Sequence, residues 1–225
     1  WTKKISMQQC SLYGKKFVWK RKEKELVNKV ETNFSAGVDI GGTTIKAALI
    51  SPSGNVKIKK TFPTDKRNNG KNIPTDLIKM IYEMMREVNI SKNNITGIGV
   101  GVPGPIAYED GVVYHTPNIP WPKNFPLKKM IEEEINVPVF LENDANCAAL
   151  GELWMGAGKN CENVICITLG TGVGGGIITN GEIVRGSGGA AGEIGHVVAV
   201  LTGGARCNCG NKGCLETVAS ATGIT

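Results

Sequence analysis

Residues 207–214 read CNCGNKGC, which is three cysteines and two glycines in eight positions of a chain with seven cysteines in all. Thiols at this density ligate a metal, pair as a disulfide or act as a redox site. His196, one of two histidines, lies eleven residues before Cys207. Together with Cys207, Cys209 and Cys214 it makes a Cys₃His set, the donor complement of a closed tetrahedral structural zinc site. The spacing C-x-C-x₄-C is not the commonest finger spacing, so a redox pair stays open beside zinc. A disulfide fits poorly, because the start of the chain shows no secretory pattern and cytoplasmic thiols stay reduced. Gly210 and Gly213 would let the chain fold back around a metal. The cysteines Cys10, Cys147, Cys161 and Cys166 are scattered, and Cys147 and Cys166 read as small core residues.

Two glycine-rich stretches suggest a second chemistry. DIGGTT, residues 39–44, sets the carboxylate of Asp39 before Gly41, Gly42, Thr43 and Thr44, and a second loop carries Gly170, Thr171 and Gly172. Such loops turn backbone N–H groups toward an anion and let phosphate oxygens approach without Cβ clashes. DIGGTT lacks the G-x-x-x-x-G-K-[ST] of a P-loop. GTGVGG, residues 170–175, matches the G-x-G-x-x-G dinucleotide fingerprint, but that fingerprint must open a helix. The following GIITNGEIVRG reads as a β-hairpin, so the dinucleotide reading is rejected. Either loop alone could be a plain hairpin turn. Two in one chain favour a nucleotide held between two lobes. In LENDAN, Asp144 stands where a strand gives way to a helix. Spacing alone makes it an N-cap, although a helix N-terminus also keeps a carboxylate ionised and ready to take a proton.

The elements that must position these residues follow from periodicity. AGVDIGGTTIKAALISPSGNVKIKK reads as three strands of a β-meander. PTDLIKMIYEMMREVNI places Leu77, Ile81, Met84, Met85 and Val88 at helical spacing behind a Pro-Thr-Asp start. NITGIGVGVPGPI predicts a buried strand running into a loop. PLKKMIEEEINV predicts a second helix, with Leu127, Met130, Ile131 and Ile135 on one face. VPVFLEND is a short strand, ANCAALGELWMGAG a helix, and NVICITLGTGVGGGIITNGEIVRG two strands and an Asn-Gly hairpin. Strands alternating with helices imply an α/β fold with mixed sheets.

Composition narrows the class. Hydrophobic and charged fractions of 41% and 20% are ordinary for a globular protein, and 225 residues can bury a sizeable core. Eighteen of the thirty glycines lie between Gly151 and Gly213, so that half is rich in tight turns. No apolar run approaches the roughly 20 residues of a membrane span, and a cytoplasmic chain is expected. The net charge of +6 is local, since residues 1–35 hold nine Lys or Arg against three Glu, leaving 17 of each sign elsewhere. Those residues are expected to form a solvated, weakly helical basic tail, with a nucleic-acid or membrane-surface contact the less favoured alternative. The chain opens on Trp1, so a fragment is expected, with Met7 a candidate start. Trp121, Trp154 and His115 read as packing or loop residues.

DIGGTTIKAALI, VGVPGPI, LENDANCAALGE, TLGTGVGGGII, GEIGH and CNCGNKGCLE, in this order over residues 36–225, resemble the ROK (repressor, open reading frame, kinase) family, and within it the glucokinase-type sugar kinases. The resemblance implies the actin-like ATPase, or ribonuclease H-like, fold, with two α/β lobes of mixed sheets flanked by helices. Here a basic tail (1–35), an N-terminal lobe (36–140) and a C-terminal lobe with a zinc loop (141–225) are expected. It implies ATP-dependent phosphorylation of a hexose, glucose first, with N-acetylmannosamine or fructose as alternatives. A sugar-responsive repressor of the same family is the different-class alternative; residues 1–35 are too few for its winged helix. Asp144 would be the base and Asn143 a sugar contact. Asp39, Gly41, Gly42, Thr43 and Thr44 would line the phosphate and Mg²⁺ side, with Asp39 on Mg²⁺, and Gly170, Thr171 and Gly172 would lie opposite. Asn118 and the turn at Gly104 are further sugar candidates, and equally loop-forming residues. Vicinal sugar hydroxyls suit carboxylates held rigidly, so zinc is expected to anchor the loop that presents Glu193 and Glu216; His196 is assigned first to zinc and also to the sugar. The family resemblance further implies ATP, Mg²⁺ and structural Zn²⁺ as cofactors, a homodimer or larger homo-oligomer, and further chain beyond Thr225 that contacts adenosine and completes the first lobe.

Overall fold

Between Phe34 and Ile50 buried and exposed residues alternate, the period-2 signature of strands with one face on a core. A computed structural model describes residues 6–13, 16–22, 32–116 and 118–224. The chain divides into two compact units, Trp1–Asn143 and Asp144–Thr225. The division falls after Asn143 rather than after residue 140, because the strand that ends at Asn143 belongs wholly to the first sheet.

At the N-terminus β1 (Ser6–Tyr13) and β2 (Lys16–Lys22) pair antiparallel, with Tyr13 opposite Lys16. This corrects the expected weakly helical tail. Tyr13, Phe17, Val18 and Trp19 are aromatic or β-branched and favour extended backbone, which the weight of lysines in the same stretch obscured.

The first unit is built on a mixed five-stranded sheet. Its strands are β3 (Phe34–Ile40), β4 (Thr44–Ile50), β5 (Val56–Pro63), β6 (Ile95–Val102) and, after the short pair β7 (Ile106–Ala107) and β8 (Val112–Val113), β9 (Val139–Asn143). The spatial order is β5-β4-β3-β6-β9. The expected meander β3-β4-β5 is antiparallel, whereas β6 and β9 run parallel to β3. Parallel neighbours need crossovers, supplied by helices α1 (Ile73–Glu87) and α2 (Leu127–Ile135). Leu77, Ile81, Met84 and Met85 of α1 and Leu127, Ile131 and Ile135 of α2 are buried, together with Ile40, Leu49, Ile98 and Val139 of the sheet. Each such side chain contributes about 1.5–3 kcal/mol of transfer free energy. Trp121 is a packing residue, as expected: it stacks on Phe125 at 4.7 Å and donates its indole N–H to the Gly70 carbonyl at 2.9 Å.

In the second unit α3 (Asp144–Met155) packs on the antiparallel strands β10 (Val164–Leu169) and β11 (Val173–Thr179), and β12 (Glu182–Ile183) completes the sheet. Its glycines permit this packing: a Cβ on Gly176 would lie 2.5 Å from the Cβ of Ala149. The β11–β12 turn is Asn180-Gly181 with φ of 53° and 76°, the mirror-image turn that matches strand twist. Short helices α4 (Glu216–Ala219) and α5 (Ala221–Ile224) end the described chain. Cys147 and Cys166 are half-buried rather than core residues: the buried positions of α3 are Ala145, Asn146 and Ala149, beside Cys147, and β10 alternates half-buried with exposed residues and buries none fully. Every non-glycine residue with positive φ among the described residues is an asparagine: Asn68, Asn69, Asn89, Asn124, Asn136, Asn160 and Asn180.

Candidate active site and zinc cluster

In the first unit the DIGGTT stretch is the turn between β3 and β4. The Gly41 N–H donates to the Thr44 carbonyl at 2.9 Å, and a Cβ on Gly41 would stand only 2.9 Å from that oxygen. Gly42 faces Asn118, whose Cβ lies 2.5 Å from where a Gly42 Cβ would be. The turn and Asn118, two separately expected site elements, are therefore in contact. Gly42→Ala should force the Asn118 backbone aside at a cost of about 1–3 kcal/mol, read as a drop in Tm. Thr43 is exposed and Thr44 half-buried. Asp39 is exposed and pairs across the hairpin with Lys46, Nζ to Oδ2 3.6 Å. One exposed carboxylate is a fitting donor for Mg²⁺, which keeps several waters and takes one or two carboxylates. Lys46 was missed, although the register that follows from a turn at 41–44 sets it opposite Asp39. Gly104 has φ of 96°, and a Cβ there would stand 2.5 Å from the His115 carbonyl oxygen, so it is a turn-forming glycine, and His115 is an exposed loop residue.

Asn143 closes β9, half-buried, with its backbone N–H donating to the buried carboxylate of Glu142 at 3.0 Å. In the second unit Asp144 is the first residue of α3, exposed, and its Oδ1 accepts the Ala145 N–H at 2.9 Å. Both readings of this residue, helix cap and poised carboxylate, are compatible with that position. The loop Gly170-Thr171-Gly172 leads into β11, not a helix, in line with rejecting the dinucleotide fingerprint. The Gly170 carbonyl accepts from the Ala221 N–H at 2.9 Å and the Thr171 carbonyl from the Thr222 hydroxyl at 2.7 Å.

His196, Cys207, Cys209 and Cys214 converge, with donor atoms all within 4.8 Å of one another. The Cys209 and Cys214 sulfurs are 3.6 Å apart, and Cys207 Sγ is 3.5 Å from His196 Nδ1. With Zn–S bonds of about 2.3 Å, tetrahedral sulfurs stand about 3.8 Å apart, so the set fits zinc. The chain bends around it as anticipated, with φ of 97° at Gly210 and 72° at Gly213. Burial and then the hydrogen bond to Glu216 push the Cys207 thiol up to about 12; burial also raises Cys214, while the Asn211 backbone N–H lowers Cys209. Ligation must therefore strip protons from Cys207 and Cys214, which hold them firmly, and zinc uptake should release protons.

Glu193 and Glu216 flank this cluster. Glu193 Oε2 is 3.7 Å from His196 Nε2, and Glu216 Oε1 is 3.7 Å from His196 Nδ1 while accepting from the Cys207 thiol at 2.9 Å. A Cβ on Gly172 would come within 2.7 Å of Glu216 Oε2, so this carboxylate stands between the glycine loop and the cluster. Nothing in the spacing announced either contact.

The β5-β4-β3-β6-β9 order with its glycine turn, flanking helices and second α/β unit defines an α/β protein of the actin-like ATPase fold. Residues 35–225 match the family model described as the ROK family, and the chain belongs to that family. It is 52% identical over 188 residues to the glucokinase of Halalkalibacterium halodurans, which covers 84% of this chain and 57% of the relative. It is 38% identical over 196 residues to the xylose repressor of Bacillus subtilis, covering 87% of this chain and 50% of that protein. The crystal structure of a ROK family glucokinase from Streptomyces griseus in complex with glucose and AMPPNP matches with a TM-score of 0.70 at 36% identity, over 85% of this chain and 59% of that one. The chain thus spans little more than half the length of these relatives. Among the described residues no helix is long and apolar enough to cross a membrane.

Proposed function

We propose that these residues belong to an ATP-dependent hexose kinase that phosphorylates glucose at its 6-hydroxyl. The observation that carries this reading is Asp144, an exposed carboxylate at the head of α3 in a chain 52% identical to a glucokinase. Phosphoryl transfer needs in-line positioning, charge neutralisation and a base for the hydroxyl proton. In this reading Asp144 takes that proton. Asn118, Asn143, Glu193, His196 and Glu216 hold the sugar. Asp39, with Gly41, Gly42, Thr43 and Thr44, serves the phosphates and Mg²⁺, which supplies charge neutralisation; Gly170, Thr171 and Gly172 also serve the phosphates. The two lobes of this reading correspond to the two compact units, divided after Asn143. His196, Cys207, Cys209 and Cys214 hold a structural zinc, which suits a reducing, cytoplasmic compartment. The family resemblance adds a homodimer or larger homo-oligomer. The test is ADP release from Mg-ATP with a hexose panel, using the longest reading frame that contains these residues. Glucose-dependent turnover is expected, exceeding that with N-acetylmannosamine or fructose.

The second reading is a sugar-responsive transcriptional regulator, favoured by the 38% identity to a xylose repressor. Sugar binding without turnover of any hexose would select it.

A further inference from the structure

The carbonyls of Gly41 and Thr43, on either side of Gly42, are both held by one residue. Thr64 donates its hydroxyl to the Gly41 carbonyl at 2.7 Å and its backbone N–H to the Thr43 carbonyl at 2.9 Å. A trans peptide is planar, with its N–H opposite its C=O. With both carbonyls drawn toward Thr64, the N–H groups of Gly42 and Thr44, which share those peptide planes, are turned away from it. Two amides facing away from a common anchor present donors to an anion.

Thr64 is itself built in. It follows directly on Pro63, the last residue of β5, and is half-buried. The next residue, Asp65, accepts from the Arg67 backbone N–H at 3.0 Å and from its guanidinium at 2.8 and 3.0 Å. Arg67 holds the Asp65 carboxyl well below the usual carboxylate range, chiefly through the side-chain hydrogen bond. Farther along, Gly70 has φ of 67°, and its carbonyl takes the Trp121 indole N–H at 2.9 Å. The segment behind Thr64 carries this local bonded turn, and its far end is tied at Gly70 to the stretch that carries Asn118 against Gly42. Two hydrogen bonds from one residue can set the direction of peptide planes that glycine would otherwise leave free.

We propose that Thr64 is a positioning residue that orients the Gly42 and Thr44 amides toward a nucleotide phosphate. This rests on the kinase reading, and the test separates the two. The measurement is the Kd for Mg-ADP and for glucose by calorimetry, with KM for ATP and glucose, on wild type, Thr64→Val and Thr64→Ser. Valine keeps the shape and the backbone N–H but removes the hydroxyl. Loss of one orienting hydrogen bond should weaken Mg-ADP about tenfold and raise KM for ATP similarly, with glucose affinity unchanged. Serine should restore nucleotide affinity. Thr64→Ala replaces valine if the valine variant does not fold. If wild type binds Mg-ADP but turns over no hexose, the kinase reading fails while the nucleotide affinities still decide the role of Thr64. Equal Mg-ADP affinity in wild type and valine variant, equal weakening for nucleotide and glucose, failure of serine to rescue, or no nucleotide binding by wild type overturns the proposal.

Discussion

Asp144→Asn is expected to lower hexose-dependent ADP release by a factor of about 10²–10⁴, the usual contribution of a general base. The substitution is chosen for what it preserves. Asparagine keeps the side-chain oxygen that accepts the Ala145 N–H, so α3 retains its terminal hydrogen bond and the Tm should barely move. Volume is unchanged and Asp144 is exposed, so no core packing is disturbed. What disappears is the capacity to accept a proton. The KM for sugar should therefore change much less than kcat, and the acid limb of the kcat profile should be lost with the carboxylate. If Asp144 only caps the helix, turnover in the variant will equal that of wild type, and the catalytic assignment falls.

Removal of the metal is expected to have the other large effect. Protein purified under reducing conditions should carry one zinc per chain, and Cys214→Ser should carry none, because Cys214 is a fully buried member of the four-donor set. Structural zinc in small domains is worth about 10–16 kcal/mol of apparent binding free energy at neutral pH. The stretch from Glu193 to Glu216 contains short turns and little apolar packing, so it has no comparable source of order. Hydrogen exchange should rise steeply there in the variant, while the five-stranded sheet of the first unit stays protected. Glu216 gives the loss a functional side. The Cys207 thiol that donates to it must lose its proton to ligate, which in the kinase reading frees the carboxylate for sugar hydroxyls. Glucose binding should therefore be lost with the metal. Undisturbed exchange and full glucose affinity in zinc-free protein would remove both the structural and the presenting role.

Much of this architecture is legible along the chain because it rests on local periodicity. Alternation marks β3 and β4, the apolar stripe marks α1 and α2, and Asn180-Gly181 marks the hairpin. The Cys₃His convergence could be read because its three cysteines lie in one short loop with a single nearby histidine. The carboxylate contacts could not. Glu216 against Cys207 depends on how α4 turns back, and Thr64 on Gly41 joins residues 23 positions apart through the β4–β5 register. The N-terminal hairpin was misread because charge spoke for solvation while the aromatic residues between the lysines spoke for strands. Half-burial of Cys147 and Cys166 reflects how fully α3 and β10 are covered, which periodicity along one element does not state.

The left-handed asparagines have a consequence for how this chain can vary. Asparagine tolerates that backbone because its short amide bonds locally, and glycine tolerates it because it has no Cβ. At Asn68, Asn69, Asn89, Asn124, Asn136, Asn160 and Asn180 natural variants should trade asparagine for glycine, or occasionally aspartate, and avoid valine, isoleucine and threonine. An alignment of relatives would then show seven small columns of Asn and Gly, conserved in backbone geometry rather than in chemistry, and separable on that ground from the asparagines at 118 and 143 that the kinase reading gives to substrate.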